Sequence, residues 1–195
     1  MSHLDMMRAF SRAVFASDLP IWFTEGFHPH PHIVFGQPLP LGMAGKNEFA
    51  DLKSDSEIPP EIIIERLNRF LPDGIKVVSA GEPVYKPKEI MTASFTTETD
   101  ISYADKFESM WDKESIIVYK KSKRGLKEID LKKEIISLEI KKEDKLIINT
   151  LMPCTVDGAV TPAQLISAFN EYTGEEIFTR HNRNGFYLED MTPFK

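Results

Sequence analysis

Two prolines alternate with three histidines in residues 28–32, within the longer segment EGFHPHPHIVFGQPLPLG of residues 25–42. A proline fixes its own φ and disfavours the helical region for the residue before it, so this pattern excludes a helix and predicts an extended chain. Alternate side chains of an extended chain share a face, so His28, His30 and His32 should point the same way, each about 6 to 7 Å beyond the last. The segment therefore predicts a stiff element that displays histidines in a row.

Length and composition fit a folded protein. A chain of 195 residues with 42% hydrophobic content can bury a core, as one large domain or two small ones. It has no apolar run near the roughly 20 residues of a bilayer span, and its start lacks the pattern of a secretion signal, so we expect a cytoplasmic protein. The single cysteine, Cys154, cannot form an internal disulfide and falls short of the thiolates that hold an iron–sulfur cluster. We expect no cofactor in this chain.

The net charge of −6 argues against indiscriminate binding to nucleic acid, which normally needs a basic surface. The charge is unevenly distributed, however. Residues 89–114 contain seven acids and two lysines, whereas residues 120–133 contain seven basic residues and two acids. The basic segment is either a solvated hairpin or a phosphate-binding surface, and both interpretations stay open.

Hydrophobic spacing predicts the elements of the first half. Ser2 with Asp5 is typical of a helix start, and apolar residues follow at helical spacing, namely Leu4, Met7, Phe10 and Val14. Short strands are predicted at residues 20–24, 33–37 and 47–53. A second helix begins at Pro59 and Pro60, and a strand follows at residues 75–78.

A similar order of elements begins again in the second half. The pattern predicts a strand at residues 92–100, a helix at 103–111, a strand at 116–121 and a hairpin of residues 135–141 with 146–151. Thr161 and Pro162 begin a last helix that Gly174 ends, and strands at residues 177–180 and 185–188 close the chain.

This order predicts an α+β protein with tandem ferredoxin-like halves, each a split βαβ unit. Residues 1–82 form the first half, residues 83–88 a linker rich in proline, and residues 89–195 the second half. The first half lacks its opening strand. We expect that Met1 is internal to a longer natural protein, that another chain fills the gap, or that residues 20–42 rearrange to cover it.

The segments SHLDMMRAFSRA, EGFHPHPHIVFGQPLPLG and ERLNRFLPDGIKV together resemble the uncharacterised radical-SAM-linked protein family. The resemblance is strong over residues 2–80 and continues more weakly beyond. It implies a chain that works beside, or fused to, a radical SAM protein with a cobalamin-binding region. It also implies that any iron–sulfur cluster, S-adenosylmethionine or cobalamin lies on that partner, and it suggests similarity to the tandem ferredoxin-like domains of CRISPR-repeat RNA-processing proteins.

The family pattern falls on named positions of this sequence. They are Ser2, His3, Leu4, Asp5, Arg8, Gly26, Phe27, Pro29, Pro31, Pro38, Leu39, Pro40, Leu41 and Gly42, with His30 also fitting and His28 and His32 fitting more loosely. Family members usually begin with a basic strand before the Ser-His-Leu-Asp motif, and this chain lacks it.

Three kinds of site are compatible with these residues. A metal site would use His28, His30 and His32 with His3 or Asp5, because imidazoles and a carboxylate suit zinc. A hydrolase of nuclease type would use His3, Asp5 and His30 as catalytic candidates, with Glu25 and Arg8 nearby in sequence. The simpler interpretation of Asp5 and Arg8 is a surface ion pair at i, i+3 spacing.

The third kind is a binding surface without chemistry of its own. Its candidate residues are Arg8, Arg12, Phe27, His28, His30 and Lys46, with Trp22 beside them and the basic segment 120–133 as an extension. Aromatic residues among basic ones suit stacking on unpaired bases. We therefore expect a non-catalytic accessory module of a radical SAM enzyme that recognises RNA or another phosphate-bearing substrate. The alternative is the hydrolase, metal-dependent or metal-free.

Overall fold

The computed structural model describes residues 1–122, 125–155 and 160–195, and it confirms the α+β class. The helices are α1 (His3–Ala16), α2 (Pro60–Phe70), α3 (Ala104–Trp111), α4 (Leu131–Glu134) and α5 (Pro162–Thr173). The strands are β1 (Ile33–Phe35), β2 (Met43–Gly45), β3 (Ala50–Leu52), β4 (Thr92–Asp100), β5 (Ile117–Ser122), β6 (Gly125–Asp130), β7 (Ser137–Lys142), β8 (Lys145–Pro153) and β9 (Arg180–Tyr187). The first compact unit is formed by Met1–Leu41, Glu48–Pro87 and Lys195, and the second by Gly42–Asn47 and Lys88–Phe194.

Two helices and a short antiparallel ladder make up the first unit. Helix α1 begins where Ser2 caps it, and α2 begins with Pro60 in its first turn, where the missing N–H costs nothing. The core of the unit contains Val14 from α1 and Leu67 from α2, with Leu19 and Ile21 from the segment between them. Helix α1 therefore packs against α2 and against the segment that follows its own C-terminus.

The buried face of α1 differs from the predicted apolar stripe. Leu4 and Met7 are 62% and 40% exposed, whereas the buried residues of the helix are Ala9, Ala13 and Val14. Small alanines allow close approach of the packed chain, so the helix buries Ala9 and Ala13 beside Val14 of the predicted stripe and turns Leu4 and Met7 outward. One consequence is that Met7 lines a cleft described below.

Two predicted strands of the first unit are irregular chain instead. Residues 20–24 make only the isolated bridges Ile21 to Ser54 and Phe23 to Pro31, because prolines at this point interrupt a ladder. Residues 75–78 are held by the Asn68 amide, which donates to the Val77 carbonyl and accepts from its N–H. Within the described part of the first unit, the ladder that forms pairs β1 with β3.

The second unit has the ferredoxin-like plan in full. Its sheet has the order β2-β9-β4-β8-β7, and the last four of these strands are antiparallel neighbours. Taken in chain order, β4-α3-β7-β8-α5-β9 is a split βαβ unit with strand order 4-1-3-2. The hairpin of β5 and β6 and the one-turn helix α4 are inserted between α3 and β7.

Helices α3 and α5 cover one face of this sheet. Phe107 of α3 and Phe169 of α5 are fully buried, and their ring centroids are 5.3 Å apart. The alternate residues of β4 that face them, such as Ala93 and Phe95, are buried as well. Helix α5 ends at Gly174, whose φ of +71° a residue with a side chain adopts only with strain.

The last strand is continuous where the sequence predicts two short strands. β9 carries a β-bulge, because Ser94 pairs with Gly185 while the adjacent Phe95 pairs with Arg183, which leaves Asn184 as the extra residue. The side chain of Asn184 donates to the Thr96 hydroxyl at 2.9 Å, so the bulge aims this amide across the open face of the sheet. In the sequence, Gly185 was the one residue that could have indicated this bulge.

Candidate functional site

The start of α1 fixes two of the predicted site residues. The Ser2 hydroxyl donates to the Asp5 carboxylate at 2.6 Å and accepts from the Asp5 N–H at 3.2 Å. Arg8 lies 3.6 Å from the same carboxylate, and both side chains are largely exposed. The Ser2 hydrogen bond, with a smaller contribution from Arg8, holds the pKa of Asp5 below its usual value. Asp5 therefore remains ionised, serves the helix start and pairs with Arg8, and this surface ion pair is the simpler interpretation given above.

His30 is the most constrained histidine of the loop. Its backbone carbonyl accepts from the Thr24 N–H at 2.9 Å, and its own N–H donates to the Thr24 hydroxyl at 3.1 Å. Its ring Nδ1 lies 2.9 Å from that hydroxyl and 3.3 Å from the His28 carbonyl oxygen. Pro31, the next residue, is buried. The imidazole is therefore held in one orientation although it is exposed.

These contacts bear on the protonation of the His30 ring. A carbonyl oxygen only accepts, so the contact with His28 is a hydrogen bond when Nδ1 carries the proton. In that tautomer Nε2 of the neutral ring is an acceptor, and when the ring is protonated Nε2 becomes a donor. His30 can thus accept a hydrogen bond from a ligand at Nε2.

A shallow cleft lies between α1 and this loop, and we call it the Arg12 cleft. It has a volume of about 270 Å³. Its lining consists of Ser11, Arg12, Phe15, Phe23, Pro29, His30 and Pro31. The rings of Phe15 and Phe23 meet edge to face, with centroids 6.3 Å apart, and Phe15 is 78% exposed. The cleft therefore combines an aromatic wall with one guanidinium and one imidazole.

A second, narrower cleft continues the first, and we call it the Phe35 cleft. It has a volume of about 130 Å³. Its lining consists of Met7, Ser11, His30, Pro31, His32, Ile33 and Phe35. Ser11, His30 and Pro31 belong to both linings, so the two clefts form one groove along the exposed side of α1, here the α1 groove. Of the described residues that line this groove, none is a carboxylate.

His3 contacts Phe35, a residue that lines the groove, but His3 does not line the groove itself. Its imidazole packs edge to face on Phe35, with centroids 5.7 Å apart, and Phe10 also packs edge to face on Phe35, at 5.4 Å. Neither Asp5 nor Arg8 lines the groove. The catalytic candidates His3, Asp5 and His30 thus have separate partners: Phe35, Ser2 and Thr24.

The remaining predicted binding residues divide between the two units. Phe27 is completely exposed at the tip of the loop, and His28 beside it is also exposed. Arg12 lines the groove, whereas Lys46 belongs to the second unit, where its N–H donates to the Arg183 carbonyl. Lys46 follows β2, which pairs in parallel with β9.

The three loop histidines do not meet at one point. His30 is bonded to Thr24, and His32 packs against the Trp22 ring at a centroid distance of 5.8 Å. Over the described ranges, no group of three or more histidine, cysteine, aspartate or glutamate side chains is arranged to hold a metal ion. Residues two apart in an extended chain are too far from each other to converge on one ion without a turn.

The sequence missed several residues of the groove. Ser11 and Phe15 were not singled out, and they line the groove because α1 turns its Met7 side outward. Thr24 was not singled out either, and it contacts His30. Met7, Ser11 and Phe15 are each four residues apart, which places them on one side of a helix, and this spacing was the available signal. Lys53 was also missed, although its ammonium lies 4.1 Å from the centroid of the Trp22 ring.

The basic segment 120–133 is only partly described. Lys123 and Arg124 lie outside the described residues. Lys132 is engaged with Trp111, its ammonium donating to the Trp111 carbonyl and lying 4.2 Å from the ring centroid. Lys133 pairs with Asp130 at 3.7 Å. Two of the basic residues thus have partners within the second unit.

The comparisons with known proteins identify the family. Residues 1–162 match the family described as "Uncharacterized protein conserved in bacteria (DUF2344)". The chain belongs to this family. The match covers the α1 groove and ends at Pro162, the first residue of α5, so the rest of α5 and the strand β9 lie beyond it. No curated protein matches the chain.

The family description assigns no activity to the groove, and the association with a radical SAM protein stays a prediction. None of the helices in the described ranges combines the length and the apolar character that a membrane span requires.

Proposed function

We propose that the α1 groove binds single-stranded RNA and that the chain is a non-catalytic accessory module of a radical SAM enzyme. The observation that carries the binding part is the composition of the Arg12 cleft, which is lined by Arg12, His30 and the exposed ring of Phe15. Unpaired bases stack on aromatic side chains, while guanidinium and imidazolium groups contact phosphate. Each nucleotide of an extended RNA strand has both a base and a phosphate, so the strand offers a partner for the aromatic ring and for the cations.

The size and shape of the cleft favour part of a longer strand over a small metabolite. Enclosed small-molecule sites usually measure about 300 to 1,000 Å³. The Arg12 cleft has about 270 Å³ and opens widely to solvent. One base with its phosphate fits such a space, and the rest of the strand continues along the surface.

The geometry favours binding over hydrolysis. A general base and a general acid must both reach the reacting group. His30 lines the groove, but Asp5 is bonded to Ser2 and Arg8 and does not line it. The hydrolase remains the competing hypothesis, and loss of intact RNA during the binding assay would favour it.

The binding part is tested by fluorescence anisotropy with a labelled octanucleotide of RNA over a series of salt concentrations. Arg12→Ala is expected to weaken binding and to reduce the slope of log K against log salt by about 0.7, the share of one phosphate contact to a single strand. Phe15→Ala is expected to weaken binding by about 1 to 3 kcal/mol, the contribution of one stacked base.

Matched controls exist for both substitutions. Arg69 is an exposed arginine of α2 that lines neither cleft, and Phe178 is 77% exposed in the second unit. Arg69→Ala and Phe178→Ala should leave the affinity unchanged. Equal losses in test and control variants, or no binding at low salt, would contradict the proposal. A DNA octanucleotide that binds as tightly would show that the strand, and not its 2′-hydroxyls, is recognised.

The accessory part rests on the family resemblance. Its test is co-expression with a radical SAM protein that carries a cobalamin-binding region from the same bacterium, followed by size-exclusion chromatography under anaerobic conditions. We expect the two chains to elute together, with the iron–sulfur absorbance in the same peak. Separate elution at micromolar concentrations of both chains would contradict this part and leave the binding part standing.

A further inference from the structure

Trp22 lies beside the α1 groove in a cluster that the binding proposal has not used. The ammonium of Lys53 lies 4.1 Å from the centroid of its indole ring. The ring of His32 contacts the indole from the side, at a centroid distance of 5.8 Å and an interplanar angle of 66°. Lys53 and His32 are exposed, and Trp22 is half-buried.

Backbone hydrogen bonds hold these three residues together. The Trp22 N–H donates to the Lys53 carbonyl at 2.8 Å, and the His32 N–H donates to the Trp22 carbonyl at 3.1 Å. The Lys53 N–H in turn donates to the His32 carbonyl at 3.2 Å. The arrangement is therefore fixed by the backbone of three separate segments and does not depend on the side chains meeting by chance.

The cluster is continuous with the groove through His32. This residue lines the Phe35 cleft, which shares His30 with the Arg12 cleft. A line of contacts therefore connects Phe15 and Arg12 of the Arg12 cleft, through the shared lining residue His30 and through His32, to Trp22 and Lys53. Each end consists of an aromatic ring beside a cation.

We propose that Trp22 and Lys53 form a second nucleotide position of the site, so that the ligand is a strand of at least two nucleotides lying along this line. The inference rests on the proposed function. A cation–π contact at an exposed position is weaker than stacking of a base on tryptophan, so an arriving base displaces the Lys53 ammonium from the ring. The displaced ammonium is then free to contact the phosphate of the same nucleotide.

The spacing of His30 and His32 along the loop bears on the minimum length of the ligand. His30 and His32 are two residues apart in an extended segment, which separates their Cα atoms by about 6 to 7 Å. Trp22 lines neither cleft. A mononucleotide that occupies the Arg12 cleft is too short to stack on Trp22 as well, whereas an oligonucleotide reaches both.

Tryptophan fluorescence tests this position directly, because the chain has two tryptophans. In a Trp111→Phe variant the signal comes from Trp22 alone, and in a Trp22→Phe variant from Trp111 alone. Titration with an unlabelled RNA octanucleotide is expected to quench the first variant and leave the second unchanged. Uridine monophosphate should quench neither variant.

A matched pair of lysines provides the second readout. Lys132 lies over Trp111 at 4.2 Å, the same arrangement as Lys53 over Trp22 at 4.1 Å. Lys53→Met should weaken octanucleotide binding several-fold and reduce the salt slope by about 0.7, whereas Lys132→Met should do neither. Lys53 is exposed, so this substitution stays informative if Trp22→Phe fails to fold.

The results separate this inference from the proposed function. Binding that depends on Phe15 and Arg12, without quenching of Trp22 and without an effect of Lys53→Met, would overturn the second position and leave the first. Absence of octanucleotide binding by the unaltered chain would overturn both. Equal affinities for a mononucleotide and the octanucleotide would also overturn the second position.

Discussion

The hydroxyl of Thr24 contacts His30 twice: it accepts from the His30 N–H at 3.1 Å and lies 2.9 Å from Nδ1 of the ring. A single side chain therefore sets both the path of the backbone at His30 and the orientation of its imidazole. The backbone bond from the Thr24 N–H to the His30 carbonyl closes the same turn. Thr24 precedes the motif of residues 25–42, so a residue outside the motif holds the proline-stiffened loop in place.

Thr24→Val is expected to weaken RNA binding while the protein stays folded. Valine keeps the branched shape but leaves the His30 ring without its hydroxyl partner, and a hydrogen bond of this kind is worth about 1 kcal/mol, or about fivefold in affinity. Fluorescence anisotropy measures the change. Thr24→Ser retains the hydroxyl and should bind as the unaltered chain does; a loss equal to that of valine would show that the hydroxyl is not what orients the ring.

The start of α1 agrees with the sequence prediction. The loop agrees only in part, because residues 26–28 are bends. How the two meet was not predicted. Proline alternation determines an extended chain locally, and Ser2 with Asp5 determines a helix start locally, so both could be predicted without neighbours. The cleft between them depends on which side of α1 is buried. The buried side of α1 carries Ala9, Ala13 and Val14. A hydrophobic periodicity gives more weight to large apolar residues, so it predicts that Leu4 and Met7 are buried instead.

A hydrogen-bond chain crosses the open face of the second unit's sheet, and its loss should destabilise that unit. The Asn184 amide donates to Thr96, the Thr96 hydroxyl donates to Asn149 at 2.9 Å, and the Asn149 amide donates to Glu139 at 3.0 Å. Thr96→Val removes the central donor and acceptor together. We expect the free energy of unfolding to fall by about 1 kcal/mol, since water replaces part of the loss at this half-exposed face. Urea denaturation measures it, with Thr96→Ser as the control that should show little change.

The same substitution on the other face of the sheet should have the opposite effect. Thr150 is 5% exposed, and in the described part of the chain its hydroxyl has no hydrogen-bond partner. Thr150→Val removes an unsatisfied buried hydroxyl without changing the volume of the side chain. We expect a gain of about 1 kcal/mol in the free energy of unfolding. A loss as large as that of Thr96→Val would mean that a bound water satisfies this hydroxyl.

The second unit was predicted more completely than the first, for a physical reason. β4 and the hairpin of β7 and β8 are long, alternating and bounded by polar turns, so their local pattern agrees with their final environment. Two of the strands predicted for the first unit, at residues 33–37 and 47–53, contain β1 and β3, whereas those predicted at residues 20–24 and 75–78 form no ladder. Pairing of β2 with β9 joins residues far apart in sequence, and a local pattern does not encode such a partner.

Leu67→Ala tests the core of the first unit, which Leu67 of α2 shares with α1. Leu67 is 1% exposed and packs in one cluster with Val14 of α1. Removing its buried methyl groups leaves a cavity, and we expect a loss of about 2 to 5 kcal/mol in the free energy of unfolding. Leu41→Ala, at a leucine that is 77% exposed, should cost less than about 0.5 kcal/mol. Similar costs for the two variants, by urea denaturation followed by circular dichroism, would contradict the core assignment.

His181 should make the second unit less stable in mild acid. Its Nδ1 lies 2.9 Å from the Thr97 hydroxyl and its Nε2 lies 3.0 Å from the Thr179 hydroxyl, so both ring nitrogens have neutral partners. Burial without an opposing charge lowers the pKa of His181 below its usual value.

The direction of the pH effect follows from this lowered pKa. In the unfolded chain a histidine takes up its proton near its usual pKa of about 6.5, whereas folded His181 takes it up only at lower pH. As the pH falls below about 6.5 the unfolded state binds more protons, so the free energy of unfolding decreases until folded His181 is protonated as well. Urea denaturation at pH 7.5 and 5.5 measures the decrease. His181→Gln should show a smaller decrease than the unaltered chain; an equal one would assign the acid sensitivity to other groups.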